Sequence, residues 1–123
     1  MKKYLIVSLI LVFGLSSCVQ KTHKKIVELT LDVSKIKNIK TVGVRGAENP
    51  LSWDTDYAMK EIVKDSLYRM IINFETGRLC SEIKFSVNGN LELEGKENRK
   101  IYFETENDTT FVNCIFDTIK KVN

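Results

Sequence analysis

The chain has 123 residues, with 19 basic and 16 acidic side chains, one histidine, three cysteines, one proline and one tryptophan. That length suits one domain of about 100 residues and not two, and a net charge of +3 without clustered Lys and Arg excludes a nucleic-acid footprint. With no second histidine, no nucleophile elbow, no Gly-rich phosphate loop and no metal-ligand cluster, the chain is expected to be neither an enzyme nor a holder of metal or cofactor.

Residues 1–17 read as an export leader. Lys2 and Lys3 form a basic start, Tyr4 to Leu15 an apolar run, and Leu15-Ser16-Ser17-Cys18 a processing site. The run is shorter than the ~20 residues of a membrane span, so cleavage is expected. Small residues before a cysteine at this point resemble a bacterial lipobox. The resemblance implies that Cys18 is acylated and anchors an exported chain to the cell envelope. Val19 in place of an aspartate favours the outer membrane. Losing the leader removes two of the 19 basic side chains and leaves 17 against 16 acidic ones, a formal charge of +1. Residues 18–24 then form a lipidated tether, with His23 a solvated side chain within it, and 25–123 a single domain.

Period-two alternation dominates that domain. Val27, Leu29, Leu31 and Val33 alternate with Glu28, Thr30 and Asp32 in a half-buried strand. Thr41 to Arg45 is a second. Asp54 to Lys64 is ambiguous: Ala58 with Ile62 and Met59 with Val63 have helical spacing, but a long connection with one helical turn fits equally. Tyr68, Met70, Ile72 and Phe74 share one face of a third strand, and Ile83, Phe85 and Val87 one face of a fourth. Leu91 and Leu93 alternate with Glu92 and Glu94 in a short fifth, and Ile101 to Glu104 and Thr110 to Phe116 supply two more. Glu75-Thr76-Gly77, Asn88-Gly89-Asn90 and Asn107-Asp108 mark turns between them. Seven short strands so spaced predict an all-β sandwich.

Cys80 and Cys114 remain after Cys18. An exported compartment permits a disulfide between them, and two small buried side chains that never meet fit equally. Pro50 and Trp53 stand together in Asn49-Pro50-Leu51-Ser52-Trp53-Asp54, where proline favours a loop or edge. Trp53 either plugs the end of the core or offers a flat face to a sugar.

Three blocks carry a family resemblance: Val42-Gly43-Val44-Arg45-Gly46 leading to Trp53, Ser81-Glu82-Ile83-Lys84-Phe85, and Leu93-Glu94-Gly95-Lys96-Glu97-Asn98-Arg99. Their order from about Lys40 to Phe103 resembles starch-binding domains of carbohydrate-binding module family 20 and related glycogen-binding modules. The resemblance implies an Ig-like β-sandwich. It makes Trp53 a sugar-stacking platform, Lys84 a donor to sugar hydroxyls, and Glu94 and Asn98 orienting groups. The family's second stacking tryptophan is Leu93 here, and a strand tyrosine is Ile83. One aromatic plane rather than two implies a weaker grip, because a stacking contact is worth about 1–3 kcal/mol on nucleic-acid precedent.

Each residue also has a local reading. Lys84 serves as an edge-guarding charge, Glu94 and Asn98 as turn chemistry, and Glu92 with Glu94 as polar alternation on one strand face. Arg99 pairs at the surface with a carboxylate such as Glu94. The expected function is a lipid-anchored, non-catalytic module for a polysaccharide or oligosaccharide. The alternative is a small structural or protein-interaction lipoprotein that keeps the sandwich but has lost sugar binding, its exposed β-edges suited to strand addition by a protein partner.

Overall fold

Nine strands form among the described residues of the computed structural model, which are 22–105 and 109–119: β1 (His23–Asp32), β2 (Val42–Gly46), β3 (Tyr57–Ala58), β4 (Lys60–Val63), β5 (Leu67–Thr76), β6 (Cys80–Val87), β7 (Asn90–Leu91), β8 (Arg99–Tyr102) and β9 (Thr109–Ile115). The leader, Cys18 and the Asn107-Asp108 turn lie outside the described residues. The two longest period-two runs pair with each other: β1 and β5 are antiparallel from His23 opposite Thr76 to Asp32 opposite Leu67. β9 lies on the other side of β1, parallel to it. One sheet therefore has the order β4-β5-β1-β9, and the second β3-β2-β6-β7 with β8 also on β6.

Alternation decides which face each sheet buries. Val27, Leu29 and Leu31 of β1 and Tyr68, Met70, Ile72 and Phe74 of β5 meet Val42 and Val44 of β2, Ile83, Phe85 and Val87 of β6, and Ile101 of β8 in one core. Phe74 packs on Phe103 with ring centroids 5.6 Å apart and a tilt of 55°, a favoured aromatic geometry. This is an all-β sandwich. Asn88 and Gly89 both take positive φ, 53° and 79°, in the two-residue turn that sets Val87 opposite Asn90. That is the backbone an Asn-Gly hairpin is suited to.

Three expectations need correction. His23 and Lys24, assigned to the tether, are the first residues of β1. Residues 54–64 hold no helical turn: they form β3 and β4, with a register irregularity between Glu61 and Val63. The Leu91–Glu94 alternation fails. Glu92 and Leu93 are both buried and Leu91 is exposed: the hairpin sets Leu91 opposite Ser86 on the outer face, which leaves Glu92 beside Phe85, and Leu93 takes a φ of 53° where the chain turns.

Candidate functional site

The end plug of the sandwich is Leu51. It is 3% exposed and belongs to the core, and its Cδ1 lies 2.9 Å from where a Cβ on Gly46 would stand. Trp53, two residues on, is half-buried and outside that core. Its turn is fastened to β2 by Arg45, which donates from Nη1 to the Trp53 carbonyl at 3.2 Å and from Nε to Asp56 Oδ1 at 2.6 Å. An ion pair this close to solvent contributes at most about 1 kcal/mol, so its role is to set the position of the turn.

Arg45 stands opposite Lys84 on β6. Their neighbours Val44 and Phe85 point inward, so both cations project from the outer face of the second sheet. The Lys84 ammonium donates to the carbonyls of Leu93 and Lys96, each at 3.0 Å. An ammonium has three donors, and two of these are spent holding the 93–96 turn. That turn is closed by the Lys96 amide donating to the Leu93 carbonyl at 2.9 Å. Arg45, Lys84 and Glu94 line one open depression of about 430 Å³. Asn98 shares the face without joining that lining: its Nδ2 donates to Glu82 Oε2 at 3.5 Å, two residues before Lys84 on β6.

The structure thus brings Lys84 and Glu94 together and ties Trp53 to the same rim through Arg45. It leaves Asn98 beside the depression. Leu93, at the position of the family's second stacking residue, is 1% exposed and presents no face to solvent. Arg45 was not foreseen. Its only sequence signal is a cation on the outward phase of a strand directly before the Trp53 loop.

Beneath this turn lies a buried charge cluster that the alternation concealed. β7 and β8 both pair with the same edge of β6, at Ser86–Val87 and Cys80–Ile83, which leaves a gap at Lys84 and Phe85. Glu92 fills it. Its amide donates to the Phe85 carbonyl at 2.9 Å, and its Oε2 accepts from the Phe85 amide at 2.9 Å. The same carboxylate takes Arg99 Nε at 2.7 Å and Nη2 at 2.8 Å, a bidentate pair, and the Asp117 amide at 3.0 Å. Arg99 also donates to the carbonyls of Ile115 and Thr118, both at 2.9 Å, and lies 5.5 Å above the Phe85 ring. Asp117 Oδ1 accepts from the Leu93 amide at 2.7 Å.

The partner of Arg99 is therefore buried Glu92 and not surface Glu94, and Glu92 and Glu94 do not share a face. Burial works against the Arg99 charge, but the hydrogen bonds and charge of Glu92 outweigh it and hold the guanidinium above its usual range. The cluster locks the rim of the depression to the end of β9 in the other sheet. No disulfide joins Cys80 and Cys114, one of the two readings the sequence left open. Cys80 lies opposite Tyr102 in the second sheet, and Cys114 opposite Leu31 in the first.

Chemically, the face offers two cations and a carboxylate around an open hollow, and the half-buried Trp53 stands on the turn that Arg45 fastens. Among the described residues no group of three His, Cys, Asp or Glu is placed to hold a metal ion. The arrangement is an all-β sandwich with a shallow polar hollow on its outer face. No family model matches the chain, and no curated protein is similar to it in sequence. In structure it is similar to the glycoside hydrolase family 15 glucoamylase from Hypocrea jecorina, with a TM-score of 0.57 and 18% identity over 77% of this chain and 17% of that one. At that identity the likeness is one of fold. The chain spans about a sixth of the length of the glucoamylase chain.

Proposed function

We propose that the chain is a non-catalytic module that holds a neutral, hydroxyl-rich glycan on the outer face of its second sheet, anchored to the outer membrane by lipid on Cys18. The observation that carries this reading is the meeting of three segments distant in sequence around one hollow: Arg45, which fastens the Trp53 turn, Lys84, and Glu94 of the 93–98 loop. The fold shared with part of a glucoamylase supports it. Hydroxyls of a sugar would take the free Lys84 donor, the Arg45 guanidinium and the Glu94 carboxylate, and one ring would rest on the open part of Trp53. With Leu93 turned inward, a single aromatic contact serves the site, so affinity is set in the millimolar range, about −4 kcal/mol.

Titration calorimetry against a maltooligosaccharide series tests this. Binding at millimolar sugar that Trp53→Ala removes, with the far-ultraviolet spectrum unchanged, supports the reading. A folded protein with no heat of binding overturns it. Leu93→Trp adds no platform: the new ring would have to enter the space of a 1% exposed side chain and lowers stability instead.

A second reading, a protein-interaction lipoprotein, draws on the other sheet. Ile71 and Phe111 stand 60% and 69% exposed on its outer face, on either side of Glu28.

A further inference from the structure

Strand edges attract other strands, and proteins guard them with charge, proline, bulges or brevity. Four of the edges here are guarded. β3 and β7 have two residues each. β4 carries Lys60 and Glu61 and a register irregularity. β8 has four residues and carries the exposed Lys100. β9 ends the first sheet and has none of these devices: Thr109-Thr110-Phe111-Val112-Asn113-Cys114-Ile115 contains neither charge nor proline.

The hydrogen bonds show which of its groups face outward. The Phe116 amide donates to the Asp32 carbonyl, on the β1 side, whereas the Ile115 carbonyl accepts from the Thr118 amide and from Arg99 Nη2. Successive residues of a strand alternate sides, so Thr109, Phe111 and Asn113 turn their amides and carbonyls to the open edge. Thr118 and Arg99 close that edge at Ile115. Among the described residues nothing pairs with the edge at Thr109–Asn113, whose centre is Phe111, 69% exposed.

We infer that β9 pairs antiparallel with β9 of a second copy of this chain, about a twofold axis at Phe111. That register sets Phe111 against Phe111 of the second copy and Thr109 against Asn113, every pair in the hydrogen-bonded phase. It covers the exposed ring with its own equivalent, and cross-strand aromatic pairs are favourable. A charge at the axis would confront itself, and the stretch carries none there or elsewhere. Among the described residues, the outward charge beside Phe111 is Glu28, and the two copies of it stand three strand spacings apart, about 14 Å. That exceeds the Debye length of about 8 Å in physiological salt, and each Glu28 already has Arg69 at 3.5 Å. A charged partner strand finds nothing on β9 to complement, whereas a second copy needs nothing. The joined sheet of eight strands is within the usual range.

Sedimentation velocity of the full chain in density-matched detergent, together with amide hydrogen exchange, tests the dimer. A monomer–dimer equilibrium is expected across the micromolar range. Protection of the Phe111 and Asn113 amides should rise with protein concentration, while the Val112 amide, bonded toward β1, stays protected throughout. Phe111→Lys alters an exposed side chain, leaves the fold intact, and weakens the dimer about tenfold or more. Three outcomes overturn the inference: a monomer at all concentrations, a dimer indifferent to Phe111→Lys, and protection at Phe111 independent of concentration. The last would mean that the chain's own residues after Ile119 occupy the edge.

Discussion

Replacing Glu92 with alanine removes the one ion-paired carboxylate among the described residues whose side chain has no exposure, and the loss can be counted bond by bond. Glu92 accepts four hydrogen bonds, from the Phe85 and Asp117 amides and twice from Arg99. In Glu92→Ala the Phe85 amide, in the middle of β6, has no strand beside it to replace the acceptor. Arg99, its side chain 13% exposed against 0% for Glu92, keeps only the Ile115 and Thr118 carbonyls. Breaking a buried pair by removing one partner costs about 3–5 kcal/mol, a large share of the 5–15 kcal/mol that holds a domain together.

Urea unfolding followed by the single indole, Trp53, reads this directly. Glu92→Ala should lose about 3–5 kcal/mol. Asp56→Ala, which breaks the surface pair with Arg45 at 2.6 Å, should lose under about 1 kcal/mol. Arg99→Ala on the Glu92→Ala background should cost much less than it does alone, because the two groups act as one unit. Equal losses for Glu92→Ala and Asp56→Ala, or additivity of Glu92 and Arg99, would refute the reasoning.

Gly46→Ala should cost about 1–3 kcal/mol by overpacking, since its Cβ would lie 2.9 Å from the Glu82 carbonyl oxygen and 2.9 Å from Leu51 Cδ1. An unchanged urea midpoint would contradict the close approach of β2 and β6. Tyr68 donates its hydroxyl to Glu61 Oε2 at 2.8 Å, and burial, then that bond and the Glu61 charge, push its pKa from 10.0 up to about 12. The folded state holds this proton more tightly than the unfolded one. Its contribution is thus complete below pH 10 and lost as pH rises toward 12. Ultraviolet titration should show one late tyrosine that Tyr68→Phe abolishes, and the same variant should flatten the alkaline loss of stability.

The sandwich was legible because burial on one face imposes period two. β5 alternates over all ten of its residues, β1 from Val27 to Asp32 and β6 from Cys80 to Phe85, and Asn88-Gly89 states its own turn chemistry. Legibility ended where few residues carried a signal. Residues 54–64 mix helical and strand spacing over segments too short to choose, and pairing with β2 and β5 decides for strands. Leu91–Glu94 reads as alternation until pairing with β6 sets Leu91 outward opposite Ser86 and Glu92 inward beside Phe85, and the φ of 53° at Leu93 breaks the period.

The tryptophan loop divides in the same way. Its chemistry, a lone indole beside a proline, is a property of the sequence. Its job is a property of packing: Leu51 takes the core and Trp53 is left at the rim. Local composition determined the strands, the turns and the supply of polar groups, since each depends on a few neighbouring residues. Tertiary structure alone decided that Lys84 would hold a turn and that Glu92 would face Arg99. It also left β9 as the unguarded edge. Those outcomes depend on which strands lie side by side, and that is settled by contacts between residues far apart in the chain.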